Sequence, residues 1–189
     1  ITGDATLVGA IDIIGQDLKV AEGLAFNPVD GHLYGAAGLA SPFSNQLIRI
    51  DPTTGEATQI ALISGTVNNE ADALLFVNGI LYAVDAVGSG QSYLYTINQN
   101  SGVATLIGLI GFNHVSDLAY NSETQTIFAS AHPDRLLITL SPSTGAGTIV
   151  GSTHIPTEFS GQTMVALTCA SENPNMSISK SAPTTALAG

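Results

Sequence analysis

Apolar residues in this chain cluster in short runs, and polar turns rich in Gly, Pro, Asn, Asp and Ser separate the runs. In residues 23–35, a turn at 27–31 lies between two such runs. Apolar and polar residues alternate with a period of two in 47–50 and 93–97, and no segment has a convincing helical period. The pattern therefore predicts β-strands joined by hairpin turns.

Two sequence markers show that the hairpins belong to a repeat. The apolar hairpin recurs at residues 73–83 and 117–129. A Thr/Ser-Gly turn followed by an apolar run also occurs four times, beginning at residues 2, 54, 101 and 144. The repeat aligns four threonines: Thr6, Thr58, Thr105 and Thr148. Each unit of about 40 to 50 residues holds four strand-like runs, which is typical of a β-propeller blade.

We therefore predict an all-β fold for residues 1–170, a small β-propeller of about four blades. The fourth blade is split between the two ends and is incomplete, with a terminal strand at 5–11 and an inner-type strand at 163–170. Residues 171–189 are rich in Ser, Thr and Pro and are predicted to be an extended tail or linker. The three complete blades are predicted at residues 18–65, 66–112 and 113–156.

Composition narrows the classes of partner. Charged residues make up 10% of the 189 residues, and the net charge is -11 with four Lys and Arg residues in total. No basic surface is available to displace counterions, so nucleic-acid binding is not expected. No apolar stretch approaches the roughly 20 residues of a membrane-spanning helix, so membrane insertion is not expected either. The charge-poor surface is typical of secreted proteins, and we expect an extracellular or cell-surface location.

Three acidic residues suggest a metal site. Glu22, Asp72 and Asp117 open the innermost strands of successive predicted blades, which approach the central channel of a propeller. Carboxylate oxygens suit Ca²⁺, so a calcium ion at the channel mouth is one interpretation. The alternative is that these carboxylates are solvated or accept hydrogen bonds from backbone N–H groups. No other cofactor is expected.

The remaining polar residues indicate no enzyme. A metal site formed by His114, His132 and His154 requires distant loops to converge, and isolated surface imidazoles are the simpler interpretation. No Gly-x-Ser-x-Gly motif is present, and Glu70 with Asp72 fits a polar loop better than a glycosidase acid/base pair. Asn175 lies in the only N-glycosylation motif.

An incomplete blade would leave backbone N–H and C=O groups unpaired along an edge. A strand from a second copy of the chain could pair with this edge, and a head-to-tail contact that does not close produces a filament. The residues predicted to take part in this strand complementation are Thr163, Val165, Leu167, Cys169, Ser177, Ile178 and Ser179.

Two stretches carry resemblances to known families. The segments 24–28, 31–34 and 50–55 (LAFNP, GHLY and IDPTTG) resemble the repeats of bacterial secreted and cell-surface β-propeller proteins. Residues 176–189 resemble the opening strand and turn of the conserved-repeat, immunoglobulin-like domain of bacterial surface proteins. The resemblances imply a fold and a surface location but no activity.

The sequence thus favours a non-enzymatic, extracellular structural or adhesive protein that self-associates through its incomplete blade. The alternative is a ligand-binding propeller module of a larger bacterial surface protein, with a glycan or a protein as its ligand. A propeller enzyme, such as a lyase or hydrolase, is the third interpretation.

Overall fold

The computed structural model describes residues 3–11, 13, 20–38, 45–68, 71–85, 90–132 and 134–152. Within these residues, twelve β-strands form three four-stranded antiparallel sheets, and each sheet follows the order of the sequence. No helix in the described part is long and apolar enough to cross a membrane. The first sheet contains β1 (Val20–Asn27), β2 (His32–Gly38), β3 (Gln46–Ile50) and β4 (Ala57–Leu62). The second contains β5 (Ala73–Val77), β6 (Ile80–Asp85), β7 (Gln91–Ile97) and β8 (Ala104–Asn113). The third contains β9 (Val115–Asn121), β10 (Thr126–Ala131), β11 (Leu136–Leu140) and β12 (Gly147–Ser152).

The same turn joins the third and fourth strands of every sheet. In the first sheet, Gly55 N–H donates to the carbonyl oxygen of Asp51 at 2.8 Å, and the Asp51 carboxylate accepts a hydrogen bond from the Thr53 N–H at 2.7 Å. Gly102 and Gly145 repeat the backbone bond at 2.8 Å. These three glycines have φ values of 80°, 70° and 79°, a left-handed conformation that disfavours residues with a Cβ. The recurring Gly of the sequence is therefore explained by the turn.

The outermost strand of every sheet contains a β-bulge at the same position. In the first sheet, Leu47 pairs with Ala61 and Ile48 with Gln59, so Ile60 has no partner across the ladder. The register of the other two sheets skips Ile107 and Val150 in the same way. A bulge re-aims a side chain and increases the local twist. These three apolar residues therefore hold equivalent places on the flanks of their sheets.

The core lies mainly between successive sheets. Strand β5 packs against β1 on one side and against β9 on the other, so the inner strands lie side by side. One buried cluster joins the first two sheets, and it includes an edge-to-face contact between the rings of Tyr34 and Phe76, whose centroids lie 5.1 Å apart. A second cluster joins the second and third sheets. This is the arrangement of successive blades in a propeller.

The predicted all-β class is confirmed, since three four-stranded antiparallel sheets are present. The number of blades and the incomplete fourth blade stay predictions. The predicted strand at 5–11 is not found, because these residues lie outside all three sheets. They contact a turn of the first sheet instead of pairing in a ladder. The predicted strand at 163–170 and the tail at 171–189 fall outside the described residues.

Candidate functional site

The contact between successive sheets follows one rule, in which the outer strand of one sheet lies on the turn glycine of the next. A Cβ built on Gly102 would overlap the carbonyl oxygen of Leu62, and a Cβ built on Gly145 would lie 2.8 Å from the backbone of Gly108. Ser64 and Val103 add a parallel β-bridge at the first of these junctions. The turn glycines therefore supply a left-handed backbone and also permit close approach by the neighbouring sheet.

The segment 3–11 makes the same contact with the first sheet. A Cβ on Gly55 would lie 2.8 Å from the carbonyl oxygen of Ala10, and a Cβ on Gly9 would overlap that of Thr54. Ile13 is buried, and Ile11 packs beside it against a small cluster of the first sheet. This segment thus takes the place that the outer strand of a preceding sheet would occupy.

The third sheet lacks a described partner on its far flank. Its bulge residue Val150 is 55% exposed and the preceding Ile149 is 56% exposed. The equivalent bulge residues Ile60 and Ile107 are partly buried against the two clusters between sheets. A Cβ built on Gly151 meets no atom of the described residues within 4 Å. We call Ile149, Val150 and Gly151 the open flank.

A buried polar network lies at the junction of the first and second sheets. The carboxylate of Asp85 is fully buried and accepts hydrogen bonds from the Tyr93 N–H at 2.9 Å, the Asn68 N–H at 3.2 Å and the Tyr95 hydroxyl at 2.9 Å. The Tyr95 oxygen in turn accepts from the Val67 N–H at 2.9 Å. The network therefore fixes the link between β4 and β5 onto the second sheet.

Burial raises the pKa values of both ionisable side chains in this network. It raises the pKa of the Asp85 carboxyl, although the three donated hydrogen bonds act in the opposite direction. Burial also raises the pKa of the Tyr95 hydroxyl, so Tyr95 is protonated and serves as a donor to Asp85. The network was missed in the sequence, but a signal exists: Asp85 stands where the aligned repeats have Ala37 and Ala131.

An open groove of about 570 Å³ lies at the turn end of the second sheet. Its wall includes Ile80 and Val103 together with polar side chains of the β7–β8 hairpin. Gln99 in this wall accepts a hydrogen bond from the amide of Asn27 at 3.3 Å, which links the groove to the first sheet. The mixed lining suits a ligand that has both hydroxyl groups and apolar faces.

The structure gives no geometric support to the calcium site. Glu22 lies in β1, Asp117 lies in β9, and Asp72 lies just before β5. The inner strands come close here, since a Cβ on Gly23 would lie 2.7 Å from the Asp72 carbonyl oxygen. Nevertheless, no group of three or more His, Cys, Asp or Glu residues in the described part of the chain is placed to hold a metal ion. The calcium ion stays a prediction.

Two of the candidate histidines do meet. The rings of His114 and His132 have centroids 5.5 Å apart, and the His132 N–H donates to the carbonyl oxygen of His114 at 3.0 Å. His154, the third candidate ligand, lies outside the described residues. The predicted glycosylation site and all the predicted complementation residues lie outside them as well: Asn175, Thr163, Val165, Leu167, Cys169, Ser177, Ile178 and Ser179.

Comparison with models of protein families gives a match over most of the chain. The model of a family described as a repeat of unknown function (DUF6923) matches residues 22–173. This range covers most of the chain, including all of the second and third sheets and nearly all of the first. A search of curated proteins gave no significant match.

Solved structures with a similar fold are distant in sequence. The PQQ-bound aldose sugar dehydrogenase from Streptomyces coelicolor is 12% identical, with a TM-score of 0.48 over 71% of this chain and 48% of that chain. A nidogen/laminin complex contains a chain that is 16% identical, with a TM-score of 0.45 over 71% of this chain and 66% of that one. A putative 6-phosphogluconolactonase from Bacteroides uniformis is 14% identical, with a TM-score of 0.44 over 69% of this chain and 39% of that chain. This chain therefore spans between 39% and 66% of the length of these three chains.

Proposed function

The chain belongs to the DUF6923 family of repeats of unknown function, and we propose that it is a non-enzymatic structural module that associates with copies of itself. In this proposal it acts outside the cell, as part of a bacterial surface or secreted assembly. The three sheets are blades of a propeller-like ring, in which the segment 5–11 holds the outer position of a fourth, incomplete blade and the segment 163–170 supplies its inner strand. The observation that supports self-association is the open flank.

The open flank has the chemistry of a contact surface. Ile149 and Val150 expose more than half of their surface, and burying the exposed half of each side chain against a partner would stabilise an association by about 0.8–1.6 kcal/mol. Strand β12, Gly147–Ser152, contains no charged residue and no proline, which are the usual means of protecting an edge strand from pairing. Both the flank and the edge of this strand are therefore suited to a second copy.

Static light scattering over a range of concentrations tests the proposal. We expect the mass of the wild type to rise with concentration and that of Val150→Asp to stay near the monomer mass, because a carboxylate cannot be buried there without a partner. Val29→Asp is the matched control, since Val29 is 79% exposed in the β1–β2 turn, away from the flank. A wild type that is monomeric at every concentration would contradict self-association. An equal loss in both variants would contradict the role of the open flank.

A second function is favoured by the groove of the second sheet. Its mixed lining suits the hydroxyl groups and apolar faces of a glycan, so we also propose a glycan-binding role. A glycan array with the wild type and the variant Thr105→Trp tests it, because the larger side chain would fill the groove. Thr148→Trp is the matched control, since Thr148 holds the equivalent position in the third sheet. Binding that only the groove variant loses would support this role, and no binding by the wild type would contradict it.

A further inference from the structure

We propose that association is head to tail, with the open flank of one copy lying on Gly3 of the next copy. This inference rests on the proposed self-association and adds the partner surface and its register. It is drawn from a contact that the chain already makes three times within itself: Gly9 with Gly55, Leu62 with Gly102, and Gly108 with Gly145.

Gly3 holds the place of the turn glycines in this repeated contact. The sequence aligns it with Gly55, Gly102 and Gly145, each preceded by Thr or Ser and followed three residues later by Thr. Its φ of 72° falls within the range of 70° to 80° of those three glycines. However, a Cβ built on Gly3 meets no described atom within 4 Å, whereas a Cβ on Gly55 would meet the segment 3–11 and a Cβ on Gly102 or Gly145 would meet the preceding sheet. Gly3 therefore has the left-handed backbone of a turn glycine but no described neighbour.

Gly151 is equivalent to the outer-strand residues that lie on the turn glycines. It pairs with Leu137 across the bulge, as Ala61 pairs with Leu47 and Gly108 with Leu94. Gly151 and Gly3 do not touch each other in this chain, since neither has a described atom within 4 Å of its built Cβ. Each described end of the repeat therefore presents one half of a contact whose other half lies at the opposite end.

Exposed apolar side chains accompany the open flank, where Ile149 and Val150 are each more than half exposed. Such residues near the centre of an interface are a favourable source of binding energy. A second copy placed by the repeat rule would cover this flank. The contact uses different surfaces on the two copies, so it is heterologous and produces a ring or a filament.

Cross-linking of paired cysteine variants tests this register. In a Cys169→Ser background, Asp4→Cys is mixed with Ser152→Cys and treated with a short bismaleimide. These positions are exposed, and they lie beside Gly3 and Gly151 without placing a new Cβ on either glycine. The matched control mixes Val29→Cys with Ser152→Cys. Circular dichroism confirms that each variant retains the β-sheet signal of the wild type.

We expect a covalent dimer when Asp4→Cys is mixed with Ser152→Cys. We expect no such dimer when Val29→Cys is mixed with Ser152→Cys. Concentration-dependent mass without the 4/152 cross-link would overturn the register and leave the proposed function standing. A protein that stays monomeric in light scattering would overturn both. A double variant, Asp4→Cys with Ser152→Cys, that cross-links only within one chain at every concentration would overturn the second copy as the partner and indicate ring closure instead.

Discussion

Replacing Asp85 with Ala should lower the free energy of unfolding by about 3 kcal/mol. Three donors lose their acceptor: the buried hydroxyl of Tyr95 and the partly buried N–H groups of Tyr93 and Asn68. Each buried donor without a partner costs about 1–3 kcal/mol. Removing the carboxylate also removes the cost of burying it, which offsets part of that loss. We therefore expect a value near the lower end of the summed range.

A double-mutant cycle with Tyr95→Phe isolates the network. This substitution should cost about 1–3 kcal/mol, because the Val67 N–H loses its acceptor and Asp85 loses one donor. In the double variant the Tyr95 hydroxyl is no longer left unpaired, so its cost should be smaller than the sum of the two single costs. Ala is sterically acceptable at position 85, since the aligned repeats carry Ala37 and Ala131 there.

Urea unfolding followed by far-ultraviolet circular dichroism measures these values. Glu56→Ala is the control, since Glu56 is exposed and its removal should change the free energy of unfolding by less than about 0.5 kcal/mol. A cost below about 1 kcal/mol for Asp85→Ala would refute the reasoning, because one lost buried hydrogen bond alone is worth that much. Additive single costs in the cycle would refute the proposed coupling between Asp85 and Tyr95.

Two further predictions concern the same junctions. Burial raises the pKa of Asp85 in the folded state, so folding favours the protonated carboxyl. The stability that this protonation contributes is fully present below the unfolded pKa of about 3.9 and is lost as pH rises through the folded pKa. The free energy of unfolding of the wild type relative to Asp85→Asn should therefore increase as pH falls from 7 towards 4, and a pH-independent difference in urea titrations would contradict it. Gly102→Ala should destabilise more than Gly79→Ala, since both residues have a positive φ but only Gly102 would overlap a neighbouring sheet. Gly79→Ala should cost about 1–2 kcal/mol from its backbone conformation alone, and equal costs for the two would contradict a close contact at Gly102.

The strands and turns of this chain could be predicted from short stretches of its sequence. Thr6, Thr58, Thr105 and Thr148 align the repeat, and the glycines that follow the Thr/Ser residues mark turns whose left-handed φ excludes most other residues. Such signals depend on a few neighbouring residues. The all-β class and the four-strand unit could therefore be predicted, whereas residues 5–11 could not be placed, because pairing in a ladder depends on a distant partner strand.

What only the tertiary structure decided is which residues meet across the sheets. The sequence shows Asp85 and Tyr95 in separate strands, and only the register of β6 and β7 brings the carboxylate to the hydroxyl. His114 and His132 are likewise 18 residues apart in the sequence, yet the centroids of their rings lie 5.5 Å apart. The open flank depends on a bulge that places Val150 on the flank of its sheet, and on the absence of a neighbouring sheet among the described residues. The spacing of similar residues along the sequence determines the repeat. Packing between residues that are distant in the sequence decides which sheet has a flank without a described neighbour.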